Sequence, residues 1–199
     1  MDNIFFDMNL LKHCGENVII GKTVRIRYPE LVEIDDNVII DDFCYISTSM
    51  KLSSYVHISS GCKIIGGKES SVFFGKYSTL SPNVVIAAGS DDYHSGIATP
   101  LVPEEYKGNV ERGNIDIHEH CIVGSNSTIL PNVKLKSGSV VGAQSLLNRS
   151  TEEWSVYAGS PAKKISERDK NKILTLQSKF EESGNEWKGI HYANETLDW

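Results

Sequence analysis

No stretch of the 199-residue chain strings together the roughly 20 apolar residues that a membrane-spanning helix needs. Nor is there a basic excess. Lys and Arg number 20 against 26 Asp and Glu, a formal net charge of −6, so the chain as a whole has no attraction to phosphate backbones or anionic lipid. Nucleic acid and membrane are therefore poor candidate partners. The opening Met1-Asp2-Asn3-Ile4-Phe5-Phe6-Asp7 carries acids where a secretory signal carries positive charge, and the expectation is a cytoplasmic protein. Four cysteines, Cys14, Cys44, Cys62 and Cys121, include no C-x-x-C pair and no dense spacing, which excludes a zinc finger and a disulfide-stapled mini-domain. They read as small buried apolar side chains.

What is present is a six-residue repeat. Apolar residues recur at Ile34, Ile40, Ile46, Leu52, Ile58 and Ile64, again at Phe74, Leu80 and Ile86, and again at Ile117, Val123, Ile129, Leu135, Val141 and Leu147. All fifteen are Ile, Leu, Val or Phe, types that make up only 54 of the 199 residues, so chance does not produce the run. Four residues after each comes a smaller side chain, such as Val38, Cys44, Met50, Val56, Cys62, Ser78, Val84, Cys121, Ser127, Val133, Ser139 or Ser145. Turn formers lie between, as in Asp35-Asp36-Asn37, Ser59-Ser60-Gly61, Pro82-Asn83 and Gly124-Ser125-Asn126. A period of six fits neither an amphipathic helix nor the 8–12-residue strand spacing of a sandwich. It fits a chain wound as a triangular prism, three hexads per turn, with inward positions stacked into one core.

The repeat breaks between Ile86 and Ile115, and the interruption at about 88–114 holds Asp91, Asp92, Tyr93, His94, Pro100 and Pro103. A break of that length in a strict repeat predicts an ordered binding loop. A shorter break, Ile65-Gly66-Gly67-Lys68-Glu69-Ser70-Ser71, reads as a surface bulge. The prism domain is expected over 1–165 and a C-terminal helix and tail over 166–199. Ser166 is the expected helix N-cap with Asp169 as its N3 partner, Ile173, Leu176 and Phe180 share the apolar face, and Gly184 is the stop. That face is expected to cover the prism. Trp187, Tyr192 and Trp199 suggest a docked tail.

Over roughly 15–165 the pattern resembles the hexapeptide-repeat acyltransferases, including the galactoside and maltose O-acetyltransferases and sugar acetyltransferases of polysaccharide synthesis. The resemblance implies an all-β solenoid, a left-handed parallel β-helix, and a homotrimer with active sites between subunits. It implies acetyl-CoA as co-substrate and a sugar hydroxyl or amine as acceptor. In that family the base is a histidine in a loop just after a stretch like Leu80-Ser81-Pro82-Asn83-Val84-Val85-Ile86, which is where His94 stands. Histidine suits the task because its ordinary pKa lies near neutrality. Asp91, Asp92 and Tyr93 are candidate acceptor-binding residues, and either aspartate or a loop carbonyl is a candidate partner for the His94 ring.

Ser125 and Ala143 lie eighteen residues apart, three hexads, so they should stack on one prism edge, each beside a glycine that lets a ligand approach the backbone. In the resembling family these edge positions bind the pantetheine amides, and backbone N–H groups there suit a developing oxyanion. The segment Ala158-Gly159-Ser160-Pro161-Ala162-Lys163 matches the family's end-of-prism motif, where Arg149, Lys163 and Lys164 would meet the phosphates of coenzyme A. Two departures stand out. No asparagine near Cys62-Lys63-Ile64-Ile65 matches the acceptor-binding one of the galactoside enzymes, which points to a different sugar, and Ile122 replaces a tryptophan common beside the cofactor.

His118 and His120 flank Glu119 and are expected on one outer strand edge. An alternative reading, a γ-class carbonic-anhydrase-like zinc hydratase, would need His57, His94 and one of this pair. A non-enzymatic β-helix scaffold is the third reading. No metal site is expected.

Overall fold

The computed structural model describes residues 7–184. Residues up to Arg168 form one compact unit and those from Asp169 another. The first is a left-handed parallel β-helix of about seven turns. Its three faces are built mainly from strands of two to four residues. The first face carries His13–Cys14, Val32–Ile34, Asn114–Ile117 and Lys134–Leu135. The second carries Ile19–Ile20, Ile39–Ile40, His57–Ile58, Thr79–Leu80, Ile122–Val123 and Val140–Val141. The third carries Arg25–Ile26, Val85–Ala87, Thr128–Ile129 and Leu146–Leu147. Two long strands, Tyr45–Leu52 and Lys63–Phe74, run across the corner from the third face to the first.

Hexad arithmetic appears directly in the register. Ile122 lies beside Val140 and Thr128 beside Leu146, each eighteen residues on. Where the sequence is interrupted the offset grows: Val85 pairs Lys63, 22 residues back, and Thr79 pairs Ile122, 43 residues on. All fifteen repeat positions are inside, none more than 1% exposed. Backbone groups of each coil bond to the next, for instance Gly21 N–H to Ile40 C=O at 2.8 Å and Gly124 N–H to Val141 C=O at 2.7 Å. The core is thus one apolar column inside a tube of parallel ladders.

Many of the corners are turned by a residue with positive φ. Asn17, Asn37, Asn83, Asn126 and Asn132 fill five of these places, and asparagine tolerates that region best after glycine. Phe43, Tyr55, Tyr77, His120, Gln144 and Trp154 also adopt it, at a cost of roughly 1–2 kcal/mol each. Along the corner between the first and second faces these side chains stack: Tyr55 on Tyr77 at 5.1 Å, Tyr77 on His120 at 5.2 Å, and His120 against Trp154 at 5.8 Å between ring centroids. His120 is therefore a buried rung of an aromatic edge, not the outward strand-edge residue expected from its sequence.

After the last coil the chain doubles back. Ala162–Glu167 pairs antiparallel with Ser155–Gly159, through a turn with a cis Ser160–Pro161 bond. Ser166 lies in that strand, so it is not the helix N-cap. Asp169 is, its carboxylate accepting from the Lys172 N–H at 3.0 Å, and the helix runs Lys170–Glu182. Gly184, with φ 58°, follows the Ser183 C-cap as the expected stop. Trp187, Tyr192 and Trp199 lie outside the described residues.

Candidate active site

The interruption at 88–114 projects from the corner between the third and first faces, the loop edge. It is structured from its base upward. Gly89–Ser90 pairs antiparallel with Glu111–Arg112. Above that, Asp92 pinches the two limbs together. One carboxylate oxygen accepts from the N–H groups of His94 and Ser95 at 2.9 and 3.0 Å, and the other from the Ser95 hydroxyl at 2.5 Å and the Asn109 N–H at 2.9 Å. Gly108, with φ 71°, admits this approach: a Cβ there would stand 2.5 Å from the carboxylate. The Ser95 hydroxyl first, then the three N–H donors, hold the Asp92 carboxyl well below the usual carboxylate range. Asp92 is therefore spoken for by the loop's own backbone. It fixes the backbone of His94 and makes no bond to its ring, and among the described residues no acceptor bonds that ring.

His94 stands exposed beside a cavity of about 370 Å³ lined by Ala87, Asp91, Tyr93, Asn109, Glu111 and Pro131, among others. Asp91 and Tyr93 are exposed there, with Tyr93 at 79%. The shorter interruption at 65–71 is more than a bulge. It lies one coil below, and Arg112 reaches from the loop to Glu69 at 2.6 Å and to Glu104 at 3.0 Å, while Lys107 also binds Glu104 at 2.6 Å. Gly89 packs closely against it, and a Cβ there would stand 3.0 Å from the Gly66 carbonyl oxygen. The bulge is the platform on which the loop sits.

The corner between the second and third faces, the glycine edge, carries the candidate donor-binding residues Ser125 and Ala143. Gln144 N–H bonds Ser125 C=O at 2.8 Å, which places Ser125 and Ala143 on successive coils of one edge, as the spacing predicted. Their own N–H groups make no bond with a described residue and so remain available to a carbonyl. Gly124 serves the stacking itself: a Cβ there would stand 2.5 Å from the Ala143 nitrogen. Inward serines tie the coils together beneath, with Ser127 Oγ donating to Gly142 C=O at 2.8 Å and accepting from Ser145 N–H at 3.1 Å. One face, six residues or about 20 Å at strand rise, separates this edge from the loop edge on the same chain.

No family model matches the chain. It is 38% identical over 177 residues to a dTDP-4-amino-4,6-dideoxy-D-glucose acyltransferase of Escherichia coli, covering 86% of this chain and 90% of that protein. AntD, an N-acyltransferase from Bacillus cereus solved with dTDP and 3-hydroxybutyryl-CoA, superposes with a TM-score of 0.85 at 32% identity, covering 93% of this chain and 100% of that one. A maltose O-acetyltransferase from Clostridium difficile shares the fold, with a TM-score of 0.55 at 15% identity over 81% of this chain and 72% of that one. The chain belongs to the hexapeptide-repeat sugar acyltransferases. It is an acyl-CoA-dependent transferase.

As a hexapeptide-repeat acyltransferase it presents its candidate cofactor cations unequally. Arg149 and Lys163 are exposed. Lys164, on the alternate side of its strand, is held by Glu152 at 2.8 Å and Glu167 at 3.3 Å, which in that order raise its pKa. The histidines that a zinc hydratase would need are spread over the prism. His57 lies on the second face bonded to Asp41 at 2.9 Å, His94 is in the loop, His118 is exposed beyond the end of a first-face strand, and His120 is in the aromatic stack. No helix among the described residues is long and apolar enough to cross a membrane.

Proposed function

We propose that this protein transfers an acyl group from acyl-CoA to the amino group of a nucleotide-linked 4-amino-4,6-dideoxy sugar. The observation that carries the reading is similarity over most of the chain to the Escherichia coli dTDP-amino-sugar acyltransferase and to AntD. The missing galactoside-type asparagine near Cys62 agrees with an acceptor other than a galactoside.

His94 takes a proton from the acceptor nitrogen as that nitrogen attacks the thioester carbonyl. The free N–H of Ser125 holds the carbonyl oxygen as it becomes an oxyanion. Collapse breaks the C–S bond, leaves the amide, and the proton goes from His94 to the departing thiolate. Ala143 and Lys163, with Arg149, hold the pantetheine arm and the phosphates. Lys164 contributes through Glu152 and Glu167 to the end of the prism. Because Ser125 and His94 stand on different edges of one chain, the site is assembled from the glycine edge of one copy and the loop of its neighbour, in a cyclic homotrimer.

The test is calorimetric titration with acetyl-CoA, followed by an acceptor screen read by mass spectrometry. Saturable binding near one per chain and amide formation with a dTDP-linked amino sugar are expected. Ester formation with the matching hydroxyl sugar at equal or greater kcat/KM would replace N-transfer by O-transfer, and no heat at several temperatures would end the transferase reading.

A further inference from the structure

The outward side chains of the first face are charge-matched from coil to coil. Glu33 binds Lys12 at 2.5 Å and Lys51 at 3.6 Å, and Asp116 binds Lys134 at 3.0 Å. The third face differs. Its register aligns Arg25 with Tyr45, Tyr45 with Lys63, and Lys63 with Val85. These side chains alternate with the buried Ile26, Ile46, Ile64 and Ile86 and so point outward.

The Arg25 guanidinium lies 5.9 Å from the centre of the Tyr45 ring. At the adjoining loop edge, Tyr28 has Arg27 at 5.4 Å and Lys68 at 4.8 Å. Lys68 is paired with Glu30 at 3.4 Å, whereas Arg25, Arg27 and Lys63 form no ion pair with a described residue. Of the aspartates on the preceding corner, Asp42 accepts from Thr23, and Asp41 bonds His57. In a protein of net charge −6, three unmatched cations interleaved with two tyrosines form an anion site with aromatic surfaces.

We infer that this patch holds the nucleoside diphosphate of the acceptor. Its base lies against the tyrosine rings and its diphosphate against Arg25, Arg27 and Lys63. Position supports the assignment. Ala87 in the His94 cavity, Ile65, Ser47 and Arg27 occupy corresponding places on four successive coils, so the patch reaches from the cavity down about three strand spacings, roughly 14 Å. That is the scale of a nucleoside diphosphate leading to a sugar beside His94. The inference rests on the nucleotide-sugar reading above, and it adds the residues that would recognise the nucleotide.

The test uses the whole protein and three probes, dTDP, UDP and coenzyme A, titrated separately into wild type, Arg25→Ala/Lys63→Ala and a control with an exposed first-face lysine removed, Lys51→Ala. Equal melting temperatures verify folding. The double variant is expected to weaken dTDP at least about tenfold, more so at low salt, with coenzyme A and the control unchanged. Undiminished dTDP binding in the double variant overturns the placement and leaves the nucleotide-sugar reading intact. Loss of coenzyme A binding instead of dTDP also overturns it, because the patch is then a cofactor phosphate site. If the wild type binds neither dTDP nor UDP yet acylates a free amino sugar, the nucleotide-sugar reading fails and the patch assignment fails with it.

Discussion

At the scale of single residues, the site contrasts two side chains two positions apart. His94 is exposed beside the cavity with its ring free of any described acceptor, while Asp92 is buried and takes four hydrogen bonds. Their replacements should therefore fail differently. His94→Ala is expected to lower kcat by about 10²–10⁴ with acyl-CoA affinity within about twofold, because its interaction belongs to the transition state. Near wild-type turnover would remove His94 from the chemistry. Asp92→Asn keeps an oxygen for His94 and Ser95 but presents N–H hydrogens to the Asn109 N–H, so one limb of the loop is released. Faster proteolytic nicking of the loop and a rise in acceptor KM are expected, with coenzyme A binding unchanged. The pH dependence follows in sign. A carboxyl whose folded pKa is depressed contributes in full above its unfolded value near 3.9, and the contribution is lost as pH falls toward the folded value. Wild-type nicking should thus stay low from neutrality to about pH 4 and rise only below it, whereas the Asn variant should be nicked at every pH.

At the scale of elements, glycine separates two costs that sequence alone merges. Gly67, with φ 80°, has no atom within 4 Å of its missing Cβ, so Gly67→Ala carries backbone strain alone, about 1 kcal/mol. Gly124 has an ordinary φ, but its Cβ would enter the backbone of the next coil, so Gly124→Ala must spread the ladder at the glycine edge and should cost about 3 kcal/mol. Thermal unfolding of the two variants checks the order, and the reverse order would show that the coils part easily there. The elements also show what a sequence reveals. Fifteen inward positions were legible because a fixed spacing of six needs no knowledge of partners. The aromatic edge was not, since Tyr77 and His120 are 43 residues apart and meet only once the loop length has been added to the hexads. The Asp92 clamp closes on Asn109 across seventeen residues without a periodic signal. Ser166 and Asp169 matched a capping pattern, yet the open ladder edge of Ser155–Gly159 drew residues 162–167 into a strand, and the helix began after it.

At the scale of the whole molecule, the donor and acceptor halves of the proposed site lie on separate edges of each prism, and this has a consequence that single-variant kinetics do not reach. Ala143 is exposed, so Ala143→Trp should block the glycine edge without disturbing the core. His94→Ala disables only the loop edge. In a cyclic trimer whose sites each pair one subunit's loop with its neighbour's glycine edge, both parent assemblies are inactive. Random reassembly of an equal mixture gives intact pairs wherever an Ala143→Trp subunit supplies the loop and a His94→Ala subunit supplies the edge. That occurs at about one site in four, so roughly a quarter of wild-type activity should return after unfolding and refolding the mixture together. Mixing the folded variants without exchange should restore nothing. If co-refolding also restores nothing, each chain builds its site alone and the loop must reach across the third face to its own Ser125, which would move the acyl donor onto the outward surface of Val85 and Thr128.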